Sequence, residues 1–197
     1  MSLTTLGLEL PTDPRWVNIA QIHIRDILVD HAWCEQKAAS SCISLIVHYS
    51  QKARLVEVLT PIVAEEWGHF QRVLKELKKR GIRLGNQRRD LYVQGVKKVL
   101  IQKGDDNLVF LDRLLFCALI EARSCERFKL LSEHVPDESL RKFYRELMIS
   151  EAGHYRTFIE LAEEYLPADY VRKRWKEILA AEAEVIMGLE VRGDRMH

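Results

Sequence analysis

Apolar residues recur at three- and four-residue intervals along most of the chain, and runs that alternate apolar with polar are scarce, so the pattern predicts an all-α protein. A short irregular lead-in and a small helix near residues 14–21 come first. The first long helix is predicted over residues 30–49, with Asp30 as its N-cap, and the second over residues 51–80. Gly81 ends the second helix, and Lys78, Lys79 and Arg80 suit the negative end of its dipole. A connection over residues 82–103 follows, with a short helix near 91–99. The third helix is predicted over 106–134 and, after Pro136, the fourth over 137–165; after Pro167, an additional C-terminal helix covers 169–189. Pro61 falls inside the second helix, where it either kinks the helix or starts it afresh with Thr60 as cap.

A weak internal repeat lies on these helices. Residues 66–69 read Glu-Trp-Gly-His and residues 151–154 read Glu-Ala-Gly-His, each preceded by a solitary glutamate, Glu35 or Glu121. Glu35 and Glu66 are 31 positions apart, and Glu121 and Glu151 are 30 apart. The midpoints fall near Ser50 and at Pro136, where turns are predicted. Two antiparallel helix pairs, each folded about its midpoint, therefore bring a solitary Glu beside a Glu-x-x-His at the same depth. One Glu from each of two helices and Glu-x-x-His from each of the other two is the ligand pattern of ferritin-like two-metal sites. The expected fold is a ferritin-like four-helix bundle: two antiparallel pairs, a long crossover, and the extra C-terminal helix. At 197 residues the chain suits a single domain spanning 1–197.

The expected ligands are Glu35, Glu66, His69, Glu121, Glu151 and His154. A Glu-x-x-His on a surface helix is common, so the neighbours decide. Ala32, Ala39 and Cys42 flank Glu35; Ile62, Phe70 and Val73 flank Glu66; Leu114, Ala118 and Phe128 flank Glu121; Leu147 and Phe158 flank Glu151. Carboxylates projecting from apolar stripes need a counter-charge, and metal ions supply it. Mixed oxygen and nitrogen donors with open positions suit two iron ions, and manganese less specifically. Glu126 competes with Glu121, but Arg123 and Lys129 around it predict a solvated face. Glu65 is a candidate for orienting a histidine, with a plain surface carboxylate as the alternative; His31 and Tyr144 are candidates for lining the site, with ordinary packing expected for both. No catalytic residue beyond the ligands is singled out.

Charge changes the picture in one place. The net charge of +1 conceals a segment, residues 72–103, with eleven Lys or Arg against Glu76 and Asp90. That stretch is a candidate polyanion footprint, through Arg83, Arg88, Arg89, Lys97 and Lys98, with Tyr92 placed to stack on a base. Its bland alternative is a solvated helix end and loop. Four cysteines, Cys34, Cys42, Cys117 and Cys125, form no CxxC pair and lie among small or apolar neighbours, so reduced core thiols are expected. No signal peptide and no membrane-spanning run is visible, so a cytoplasmic protein with no membrane partner is expected. Both a monomer and a homodimer fit, because Ile178, Val185, Ile186 and Leu189 of the last helix serve either a core or an interface.

The chain resembles the bacterial tRNA hydroxylases that oxidise 2-methylthio-N6-isopentenyladenosine next to the anticodon. The resemblance covers nearly the whole chain and is carried by Trp33-Cys34-Glu35-Gln36-Lys37-Ala38-Ala39, Glu65-Glu66-Trp67-Gly68-His69, residues 121–128 (Glu-Ala-Arg-Ser-Cys-Glu-Arg-Phe) and residues 150–155 (Ser-Glu-Ala-Gly-His-Tyr). It implies a di-iron monooxygenase that takes dioxygen as co-substrate and inserts one oxygen atom into an allylic C–H bond of the isopentenyl group in tRNA. It also implies a separate reductase as electron donor, since no flavin or nicotinamide fingerprint and no Fe–S cysteine spacing is seen. Two alternatives stay open: another ferritin-like enzyme (ferroxidase, peroxidase or manganese catalase), and a non-enzymatic RNA-binding helical module.

Overall fold

The computed structural model describes residues 5–196, so the start of the expected lead-in lies outside the described residues. Regular structure among them is helical throughout: a 3-10 turn at Thr5–Gly7, then α1 (Pro14–Ile22), α2 (Ile24–His48), α3 (Ala53–Lys79), α4 (Leu91–Lys97), α5 (Asp106–His134), α6 (Glu138–Tyr165) and α7 (Ala168–Met187). The chain divides into two compact units. One comprises Trp16–Arg89 with Arg192–Met196; the other comprises Asp90–Val191 with the N-terminal residues up to Arg15.

In the first unit α2 and α3 fold back on each other about the turn at residues 49–52 and pack along their lengths. Ile27, Leu28, Ala32, Ala39 and Leu45 of α2, with Leu55, Leu59, Ile62, Val73 and Leu77 of α3, form its interior. The helix α2 starts six residues earlier than the pattern predicts, at Ile24. Asp30 does not cap it: its buried carboxylate accepts hydrogen bonds from Arg195 Nη1 at 3.0 Å and from the Met196 N–H at 2.9 Å. The backbone ladder passes through His23, with His23 N–H donating to Ile19 and Ile27 N–H donating to His23, each at 3.1 Å. The ladder carried over from α1 leaves the start of α2 without need of a side-chain cap. The tail at Arg195 and Met196 also receives a hydrogen bond from Trp16 Nε1 at the Arg195 carbonyl, 3.1 Å. Gly193 passes so close to α1 that a Cβ there would lie 2.5 Å from the Ile19 carbonyl carbon and 2.6 Å from Ala20 N.

Pro61 does not start a new helix, because α3 runs unbroken from Ala53 to Lys79. Thr60 turns its hydroxyl back onto the Val56 carbonyl at 2.6 Å instead of capping forward. Gly81, with φ +63°, closes α3 in the left-handed conformation, and Ile82 N–H returns to the Leu77 carbonyl at 2.9 Å.

In the second unit α5 and α6 form the other antiparallel pair, joined through residues 135–137. Asp105 caps α5 through Asn107 N–H at 2.8 Å, and Asp137 caps α6 through Ser139 N–H at 2.8 Å. The helix α5 is the most enclosed element, so that even its charged residues Arg123 and Glu126 are buried. Arg123 donates to both oxygens of Glu182 on α7 (2.7 and 2.9 Å), to Glu126 (2.6 Å) and to the Leu10 carbonyl (3.1 Å). Glu126 also accepts from the Thr12 hydroxyl at 2.5 Å. The solvated face expected around Glu126 is therefore wrong; its counter-charge is held in place by Glu182, fifty-nine positions from Arg123. Tyr92 donates its hydroxyl to Glu182 at 2.8 Å and is buried, which removes it as a stacking platform for a base. A second clasp joins α7 to α5 and to the connection before it: Arg174 donates to both oxygens of Asp112 on α5 and to the Val99 carbonyl.

Candidate metal centre

The α2–α3 pair places Glu35 beside Glu66 and His69, one turn apart on the inner face of α3. Each of the three offers a ligand atom within 4.8 Å of the other two. His69 Nδ1 lies 3.6 Å from Glu35 Oε2 and 3.7 Å from Glu66 Oε2. The α5–α6 pair repeats the arrangement with Glu121, Glu151 and His154, whose ligand atoms again lie within 4.8 Å of one another. There His154 Nδ1 is 3.4 Å from Glu151 Oε2. All six side chains belong to residues no more than 7% exposed.

Each triad carries two carboxylates and one imidazole in surroundings closed to water. The apolar flanks are those the sequence shows: Ala32, Ala39, Ile62 and Val73 in one unit, and Leu114, Ala118, Leu147 and Phe158 in the other are buried. Two anionic groups at such depth are costly without a cation. A divalent metal fits the donor set, and its oxygen-rich, one-imidazole character suits a first-row metal of the iron and manganese kind. The nearby Cys125 thiol, on α5, is pushed up to about 12 by burial, with the Glu151 and Glu126 charges adding to the effect. It stays protonated at neutral pH and acts as a core residue. Among the described residues no cysteine is joined in a disulfide.

The remaining candidates fall out unevenly. Glu65 is exposed, on a different face of α3 from the buried Glu66 and His69. Tyr144 is buried in an aromatic group, 5.5 Å from Phe128 and 5.3 Å from Phe143 between ring centres. Arg83 and Arg89 in one unit, and Lys97 and Lys98 in the other, are exposed, and Lys97 Nζ sits 5.6 Å over the Phe116 ring. Arg88 has a structural role: it donates to the Asp194 carboxylate at 3.1 Å and to the Asp194 carbonyl at 2.6 Å. Arg25, unremarked in the sequence, lines a cleft with Arg83, Asp26 and Ile82. The larger omission is His31. Ordinary packing was expected, yet its Nε2 lies 2.5 Å from Glu35 Oε1. Its position one turn before Glu35 was the available signal.

No helix among the described residues is long and apolar enough to cross a membrane. Comparison with known proteins bears directly on the triads. Residues 3–197 match the tRNA-(MS2IO6A)-hydroxylase (MiaE) family. The tRNA 2-(methylsulfanyl)-N(6)-isopentenyladenosine(37) hydroxylase of Pseudomonas putida KT2440 is 35% identical over 179 residues, covering 91% of this chain and 86% of that protein. The enzyme of the same name from Salmonella typhimurium LT2 is 34% identical over 110 residues, 56% of this chain and 40% of that protein. A solved structure from Synechococcus, described as a protein with aldehyde deformylating oxygenase activity, superimposes with a TM-score of 0.91 at 35% identity, covering 96% of this chain and 94% of that one. The all-helical, ferritin-like fold is thereby established. With a match running from residue 3 to the last residue, the chain belongs to the tRNA-(MS2IO6A)-hydroxylase family of oxidoreductases.

Proposed function

We propose that this chain is a dioxygen-dependent monooxygenase that hydroxylates the isopentenyl group of 2-methylthio-N6-isopentenyladenosine in tRNA. Two iron ions would be held jointly by Glu35, Glu66, His69, Glu121, Glu151 and His154, with residues 1–197 acting as one domain. The carrying observation is the pair of matching buried triads, each of two carboxylates and one imidazole. Family membership points to the same substrate class.

When bound, the iron pair would supply dioxygen activation and delivery of one oxygen atom to an allylic carbon. The protein's own work is positional. The carboxylates and imidazoles of the two triads would hold and neutralise the cations, and the buried apolar flanks within each helix pair would exclude water. Exposed Arg83, Arg89, Lys97 and Lys98 meet tRNA phosphates, with Arg25 added through the Arg83 cleft. Electrons come from a separate reductase, and the reaction takes place in the cytoplasm, where tRNA is found.

The test is metal content and dioxygen reactivity of the purified chain beside Glu121→Ala, followed by turnover on tRNA from a strain lacking the hydroxylase. Two irons per chain, and a nucleoside one oxygen atom heavier, are expected for the wild type, with both lost in the variant. Metal binding indifferent to Glu121 would sink the assignment. The Synechococcus neighbour motivates one alternative, oxygenation of an aldehyde. Aldehyde consumption without tRNA, and inactivity towards the hypomodified tRNA, would favour it.

A further inference from the structure

One carboxylate in the α2–α3 pair is shared by two imidazoles. Glu35 Oε1 accepts a hydrogen bond from His31 Nε2–H at 2.5 Å, while Glu35 Oε2 lies 3.6 Å from His69 Nδ1 within the metal-binding triad. His31 is fully buried, one turn before Glu35 on the same face of α2. An ionised carboxylate only accepts, so the imidazole is the donor here. The two oxygens are thereby given different tasks: Oε1 is held by the protein, and Oε2 is presented to the triad.

The repeat makes this informative. Counting back one turn from Glu121 in the other pair gives Cys117, not a second histidine. A thiol is a weak donor, and it cannot impose the restraint that a short imidazole N–H bond imposes.

The geometry points to His31 as a positioning residue that holds Glu35 in its metal-ready orientation and so sets the affinity of the metal position at the Glu35–Glu66–His69 triad. This inference rests on both triads holding metal. Its physical basis is that a pre-oriented ligand loses less side-chain freedom on binding, and removal of such an orienting partner lowers metal affinity by ~10- to 100-fold.

The experiment is anaerobic titration with Co(II) alone, reading both the binding isotherm and the visible cobalt absorption. It is run on the full chain as wild type, His31→Leu, His31→Gln and Cys117→Ala. The wild type is expected to bind two cobalt ions. His31→Leu should weaken one of them by ~10- to 100-fold, with a changed band for that ion, and leave the other near its wild-type affinity. His31→Gln, whose carboxamide keeps an N–H at similar reach, should recover most of the loss. Cys117→Ala should titrate as wild type. Equal weakening of both positions overturns the inference, as does no change in His31→Leu, or a helical His31→Gln no better than His31→Leu. A wild type that binds no cobalt overturns the metal-site assignment along with it. Two cobalt ions in the wild type with an indifferent His31→Leu overturns only the role of His31.

Discussion

The two helix pairs carry the same buried Glu, Glu, His triad and are supported in opposite ways. Behind Glu121 the helix α5 is locked by a buried ionic cluster: Arg123 is fully enclosed between Glu126 of its own helix and Glu182 of α7, and Tyr92 donates to the same Glu182. Burial opposes the Arg123 charge, but Glu182, Tyr92 and Glu126 together hold its guanidinium above the ordinary range. Behind Glu35 the support seen among the described residues is of another kind. Asp30 there reaches for the chain's own tail at Arg195 and Met196, and His31 reaches for Glu35 itself. A ligand pattern can thus be repeated while its scaffold is not. A metal-binding donor set would constrain position and residue type, whereas many packings hold a helix in place.

The largest break in this comparison comes from Arg123→Leu. It strips the buried Glu182 and Glu126 of the guanidinium that hydrogen-bonds both, with the charge of buried Arg127 still nearby, and the cost of breaking such a buried pair is about 3 to 5 kcal/mol. Urea unfolding should show that loss. A change under about 1 kcal/mol would mean that the cluster contributes little and α5 is held by its apolar face alone.

That cluster also marks where the sequence stops being legible. The bounds of α5 and the start of α6 follow from local signals, the capping Asp105 and Asp137 and the break at Pro136, and the prediction met the structure there to within one residue. The start of α2 was misplaced because Asp30 looks like a cap and is instead a partner for a tail more than 160 positions away. Glu126 looked solvated for the same reason: Arg123 beside it reads as a surface cation until Glu182 is brought to it by folding. Tyr92 looked available to a base because nothing near it in sequence announces Glu182. The six candidate ligands stood out because their signal is a repeat of spacing, which survives without any knowledge of tertiary partners. His31 carried a spacing signal too, but a lone histidine on an apolar face is ordinarily core.

The matching break in the first unit is smaller. Asp30→Asn keeps the shape but weakens two charge-assisted hydrogen bonds to the tail, a loss of about 2 kcal/mol. Amide exchange should then rise around residues 192–196 and the start of α2, and stay unchanged around Arg123. Spread of the effect into α5 would contradict separate support for the two pairs. Arg88→Glu belongs with this variant, since it breaks the Asp194 contact; it should reduce stability as well as alter charge. Lys98→Glu is exposed and tied to no such contact, so it should weaken tRNA binding and reduce the salt slope by about 1, with iron content intact.

The smallest expected effect separates ion pairs by depth. Glu76, in the last turn of α3, is buried itself, yet Lys79, which donates to it at 2.6 Å, is largely exposed; Arg80 is its second partner. Burial alone would raise the Glu76 pKa, but the hydrogen bonds from Lys79 and Arg80 outweigh it and hold the group below its ordinary 4.5. A carboxylate depressed in the folded state adds stability that is fully present above its unfolded pKa and lost as pH falls through the folded one. Wild-type stability should therefore drop more steeply than that of Glu76→Gln below about pH 4.5, by less than about 1 kcal/mol. At high salt the difference should shrink, because Lys79 is screened by solvent ions. Arg123 has no solvent contact through which ions could screen it, so the cost of Arg123→Leu should persist under the same salt. If both effects faded together, the contrast between a buried cluster and a solvent-tuned helix end would have to be abandoned.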